Sequence, residues 1–287
     1  MTTVRVAPPR IFPVATRASK PPIDAEGSAD AYRQVTFVLG TEVDLVLRGL
    51  NLEGEVALAS RGAGFRKQTT AAAMGLWSRG WLTRLEALHA MEWGNYAAAM
   101  PLLRAAVDHL AGELYLLQQN AVEWEEWLDH GGVSSVPADQ ATEFRLHAFR
   151  AAEVLAGHET LGRIYRVVTD LSLPHFGSTL LLAASDSTPE RILMTFGDRD
   201  FHLGLAELCL GWLFAMGLAQ CEAIAEAGGM FASDHLEAMA QWSTEAKAMV
   251  DRNDRCRVDV VDRDEGQRYL VQNWRRAPGA ARKRVLL

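Results

Sequence analysis

Arg104 and His109 stand five residues apart in the run Leu102-Leu103-Arg104-Ala105-Ala106-Val107-Asp108-His109. A fixed cation beside an imidazole is what metal-free cleavage of a phosphodiester requires. The arginine steadies charge on the phosphoryl oxygens, and the imidazole moves a proton. In a regular helix an interval of five rotates the two side chains about 140° apart. They can converge only across a dimer interface or in a distorted helix. Arg84 and His89 repeat the spacing, so the pattern arises easily in a helical chain. The favoured reading is a surface histidine beside a packing arginine.

A second set of residues could hold metal. Glu86 and His89 form one Glu-x-x-His pair on a helical face, and Asp198 and His202 form a looser second pair. Glu153 or Glu159 could bridge them. Di-iron carboxylate bundles use two Glu-x-x-His pairs and two further carboxylates, and this chain has one such pair, so no cofactor is expected. Arg104 and Asp108 are four apart and share a helical face. Their plain reading is an internal clamp. With His175, from a later loop, they would instead make a binding site for an anion or polar ligand. There is no Gly-x-Gly-x-x-Gly, no phosphate-binding loop of the Walker type and no Gly-x-Ser-x-Gly.

The elements that must position these residues read as about six helices. Apolar residues recur at three and four through Tyr32, Val35, Leu39, Val43, Val46 and Leu50, which predicts a helix from Ser28 to Leu52, followed by a break at Gly54. A second helix is expected from Thr69 to Trp93, stopped by Gly94-Asn95, and a third from Tyr96 to Asp129, with Pro101 in its first turn. A fourth is expected over 138–168. Residues 170–200 read as a long loop with room for a small hairpin. A strongly apolar fifth helix follows from Phe201 to Ala227. A sixth begins after Ser233 as N-cap and ends near Asn253. The fold class is therefore an all-α helical bundle over 24–253.

The flanks look different. Residues 1–23 hold five prolines and four basic residues, and read as a disordered arm rather than a targeting helix. Residues 254–287 read as a polar to basic tail, with one short helix from Glu265 to Trp274. The net charge of −7 gives no general attraction to nucleic acid. Three cysteines without a pairing pattern point to a reducing compartment and away from structural zinc. The apolar run Leu203–Ala219 carries Glu207 and is short for a bilayer, so it reads as a core helix and no membrane is expected. Only four of the 29 basic residues are lysine. That bias fits a bacterial, cytoplasmic protein.

The run from Gly94 through Tyr96 to Leu102-Leu103-Arg104-Ala105-Ala106-Val107-Asp108, with Leu171-Ser172-Leu173-Pro174-His175 after a later helix, resembles a set of uncharacterised bacterial all-helical proteins. The likeness spans roughly 69–219. It implies a helical bundle and no established activity. The Arg104–His109 spacing is also similar to the signature of HEPN ribonucleases, although Ala105 stands where those enzymes usually carry a polar residue. The leading expectation is a binding or interaction protein. It would be homo-oligomeric, and its N-terminal arm could meet a protein partner. A metal-independent ribonuclease acting on RNA is the first alternative, and a di-metal oxidase the second.

Overall fold

A computed structural model describes residues 7–61, 68–118, 151–174, 176–184, 186–188, 190–263 and 266–286. Among these, eight α-helices precede a small antiparallel sheet: α1 Gly27–Ala59, α2 Gln68–Glu92, α3 Tyr96–Gln118, α4 Ala151–Gly157, α5 Glu159–Ser172, α6 Phe176–Ala183, α7 Leu203–Glu226 and α8 Leu236–Val250, then β1 Arg257–Arg263, β2 Gly266–Trp274 and β3 Lys283–Leu286. The chain is thus mostly helical, as its periodicity implies, with more helices than six and with its strands elsewhere.

α7 is the axis of the bundle. Leu205, Leu208, Leu210, Phe214 and Met216 are buried on nearly every side of it, as expected of a helix with no polar face. It packs against α1, α2, α3, α5, α8 and the sheet. By length and composition it could cross a membrane, and 67% of that apolar window is buried inside the protein. α2 and α3 form an antiparallel hairpin. Gly94 turns it with φ +68°, and a Cβ there would lie 2.1 Å from the Arg199 carbonyl oxygen. Only glycine meets both demands. Asn95 then caps α3, its side chain accepting from Ala98 N at 3.3 Å.

Several expectations need correction. α1 runs past Gly54 to Ala59, because Gly54 is not a break but a seat for Pro13: a Cβ there would lie 2.4 Å from Pro13 Cβ. The helix bends at Leu39 instead (φ −123°, ψ 15°), beside Gly40, whose carbonyl accepts from Arg17 Nη2 at 2.8 Å. The expected fourth helix is interrupted at His158, which caps α5 by accepting from Leu161 N; its part before 151 lies outside the described residues. The loop expected over 170–200 holds α6, and a single bridge among its described residues joins Thr188 and Arg191. α8 starts at Leu236 with His235 as N-cap, not Ser233.

The largest correction lies at the two ends. Residues 257–263, 266–274 and 283–286 form a β1-β2-β3 sheet in place of the expected tail, and Gly266–Trp274, where a helix was expected, is strand β2. β1 and β2 pair from Arg257↔Gln272 to Arg263↔Gly266. A bulge between Val271 and Trp274 bends β2, with Asn273 at φ 56°. Trp274 packs on Gly204, where a Cβ would be 2.7 Å from its ring. The carbonyls of Arg275 and Arg276 accept from Gly204 N and Leu203 N at 2.9 Å, which satisfies open donors of the α7 N-terminus. Glu207 completes the joint by accepting from Arg275 Nη2 (2.7 Å) and Cys256 N (2.9 Å). The N-terminal arm also meets the bundle. Ala15 exchanges two hydrogen bonds with the Asn51 side chain (2.8 and 3.0 Å), and Ala18 N donates to Glu92 at 2.8 Å.

Candidate functional site

One face of α7 is not fully covered by the described residues. Leu208, Gly211, Trp212, Ala215, Leu218, Ala219 and Glu222 follow the three-and-four spacing of a single helical face and floor a groove. Its walls are the start of α5, the end of α8 with the turn after it, and β1. The amphipathic pattern of α5 fixes the first wall, because Leu161, Ile164, Val167, Val168 and Leu171 turn inward and Arg163 faces out. The groove holds about 580 Å³, within the roughly 300–1,000 Å³ usual for small-molecule sites.

The glycines of α7 separate packing from opening. Gly204 and Gly217 have no room for a side chain: a Cβ would fall 2.7 Å from Trp274 and 2.6 Å from Trp242. At Gly211, among the described residues, nothing beyond its own helix backbone and its neighbours in the chain comes within 4 Å of the Cβ position. A glycine inside a helix costs about 0.8–1 kcal/mol relative to alanine. Close packing of a tryptophan offsets that cost at Gly204 and Gly217. At Gly211 no described residue does so, and the free space belongs to the groove.

The rim is charged. Arg163 and Lys247 are exposed and have no ion-pair partner among the described residues. Arg257 lies 3.5 Å from Asp259. Arg252 and Arg255 are held by Glu42, and Arg252 also by Asp254. Glu222 and Asp251 are the remaining acids of the lining. An adjoining trough of about 620 Å³ shares His158, Thr160, Ala219 and Glu222 and is acidic, with Glu153, Glu159 and Glu226. Among the described residues no three His, Cys, Asp or Glu side chains are placed to hold a metal ion. The arrangement sets an apolar floor on α7 beside the cations Arg163 and Lys247 at the rim.

No known protein family, curated protein or solved structure matches this chain. Its own side chains carry whatever can be said of function.

The residues singled out from sequence are dispersed. The Arg104 guanidinium sits over the Tyr165 ring of α5, 5.7 Å from its centroid. Hydrogen bonding to Tyr165 is the main reason its pKa is raised, with a smaller contribution from Asp108. No direct ion pair joins Arg104 to Asp108, so the expected clamp is replaced by an arginine–tyrosine stack. Burial raises the Asp108 pKa. His109 points the other way, to α2, where a Cβ at Gly80 would be 3.5 Å from its own Cβ. Burial pulls its pKa down to about 4, and its Nδ1 has no hydrogen-bond partner among the described residues. Arg104 and His109 therefore do not share a cleft within one chain. His175 lies outside the described residues. Glu86 and His89 are 3.9 Å apart, and His89 Nε2 is 2.7 Å from the Thr16 carbonyl. Asp198 and His202 pair at 3.0 Å beneath Tyr96, whose hydroxyl accepts from His202 N at 3.1 Å. His202 is only 2% exposed and locks the entry into α7.

Sequence reasoning missed a charged cluster at the bundle centre. Arg84 grips Glu53 with both Nη atoms, and Trp77 Nε1 donates to Glu53 Oε2 at 3.0 Å. Glu113 accepts from Gln220 Nε2 at 2.7 Å, while its second oxygen has no hydrogen-bond partner among the described residues. Glu53, Arg84 and Glu113 are 1%, 3% and 1% exposed. Burial pushes Glu113 up to about 8, so it is mostly protonated at neutral pH. The signal was available. Glu53 continues the core stripe Val46–Leu50 of α1, and Arg84 falls within Trp77–Trp81–Leu88 of α2. A charge on a core stripe must find a partner.

Proposed function

We propose that this chain is a binding protein whose α7 groove takes an amphipathic anion, a molecule with an apolar body and one carboxylate, sulfonate or phosphate head. The observation that carries this reading is Gly211. It leaves open space beside Trp212 in a groove whose two exposed cations, Arg163 and Lys247, make no ion pair among the described residues. An apolar floor supplies most of the affinity by burial, and Arg163 and Lys247 orient the head through charge-assisted hydrogen bonds.

The test is titration of the protein with dodecanoate and with anilinonaphthalene sulfonate, read by Trp212 fluorescence with Trp212→Phe as control. Saturable quenching that disappears in Trp212→Phe supports the reading. Quenching that is unchanged in Trp212→Phe places the probe elsewhere and contradicts it.

A further inference from the structure

The N-terminal arm is held by side chains that read main chain. Asn51 takes both the N–H and the carbonyl of Ala15. His89 meets the Thr16 carbonyl at 2.7 Å, Glu92 accepts from Ala18 N at 2.8 Å, and Trp93 Nε1 donates to the Ser19 carbonyl at 2.9 Å. Pro13 fills the notch at Gly54. Such a groove between α1 and α2 recognises an extended peptide. Its occupant has no helix or strand of its own, so the same residues arriving from another molecule would make the same bonds.

The covalent path into the groove is strained. The arm runs antiparallel to α1, with Pro13 at Gly54, Ala15 at Asn51 and Arg17 at Asp44, yet α1 begins at Gly27. The chain must therefore reverse between Lys20 and Gly27. Pro21 and Pro22 favour an extended course there. The reversal closes through Ala25 N donating to the Pro22 carbonyl at 3.0 Å. It also forces Glu26, a residue with a side chain, to φ 40° and ψ −116°, a sparsely populated conformation. Short hinges under strain favour exchange of the element they tether. Ile23, in the hinge, is 92% exposed, at the place where two exchanged arms would cross.

We infer that residues 7–24 are an exchangeable arm, and that two copies of the chain associate by each laying its arm in the α1–α2 groove of the other. Exchange keeps every arm–groove hydrogen bond, relaxes Glu26 as the hinge extends and brings the two Ile23 side chains together.

Two full-length single-cysteine additions test this. Thr16→Cys and His89→Cys chains are co-expressed and treated with a short bismaleimide, and the untreated-sequence protein, with buried Cys209 and Cys256 and half-buried Cys221, gives the background. Neither variant alone can join position 16 to position 89. A covalent dimer in the mixture, reduced several-fold by adding Glu26→Gly to both chains, is the expected result. Absence of that dimer overturns the inference. The double variant Thr16→Cys/His89→Cys, closing on itself as a monomer, would then show that the arm stays with its own chain.

Discussion

Two charged regions of this molecule share the helix α7 and differ in every other respect. At the bundle centre, Glu53, Arg84 and Glu113 are sealed among α1, α2, α3 and α7, and each is committed to a neighbour. Along the outer face of α7, Arg163 and Lys247 stand at the rim of an apolar floor with no ion pair among the described residues, although Glu222, Asp251 and Asp259 line the same groove. The first arrangement makes removal of a partner costly and access impossible. The second costs the fold little and leaves its charges available. Burial alone is thus a poor guide to function here, and an uncommitted charge beside an open apolar floor is a better one.

The strongest way to break the comparison is at the centre. Glu53→Ala leaves Arg84 buried without its carboxylate and Trp77 without an acceptor. A loss of about 3–5 kcal/mol is expected, read by guanidinium denaturation. Replacing the pair together, Glu53→Leu with Arg84→Met, should recover most of that loss. An equal loss in single and double variants would mean that packing, not charge, dominates.

A smaller effect is expected from Glu113. Its pKa is raised in the folded protein from an ordinary 4.5 to about 8. The folded state therefore binds more protons than the unfolded state across that interval. Its stability contribution is complete below about 4.5 and is lost as pH climbs through about 8. Wild type should weaken over this interval, and Glu113→Gln, which keeps the Gln220 contact, should flatten the profile. Chemical denaturation at several pH values distinguishes the two.

The rim charges should behave in the opposite way. Arg163→Glu with Lys247→Glu should change stability by no more than about 0.5 kcal/mol. The same change should weaken binding of anilinonaphthalene sulfonate about tenfold, or roughly 1.4 kcal/mol. Salt should reproduce part of that weakening in wild type.

What the sequence disclosed follows from whether the cause was local. The α2–α3 turn was legible because Gly94 and Asn95 act on their own backbone. The core faces of α1, α2 and α3 were legible from spacing. The arm was not, because its order comes from Asn51, His89, Glu92 and Trp93, all distant in sequence. The sheet was half legible. Val258 and Val260 alternate with Asp259, a strand period, but the charges around them read as a solvated tail. Arg104 and His109 shared a plausible spacing, yet Tyr165 draws one and Gly80 accommodates the other. The groove had no motif at all. Gly211 differs from Gly204 and Gly217 only in what the rest of the chain places above it.

The most direct test of the account is therefore Gly211→Leu, measured by calorimetric titration with dodecanoate alongside a thermal melt. The side chain enters free space in the groove and replaces a helix-weakening glycine, so stability should hold or rise by about 0.5–1 kcal/mol while binding is abolished. Undiminished binding in a variant that melts like wild type would contradict the assignment of the α7 groove as the ligand site.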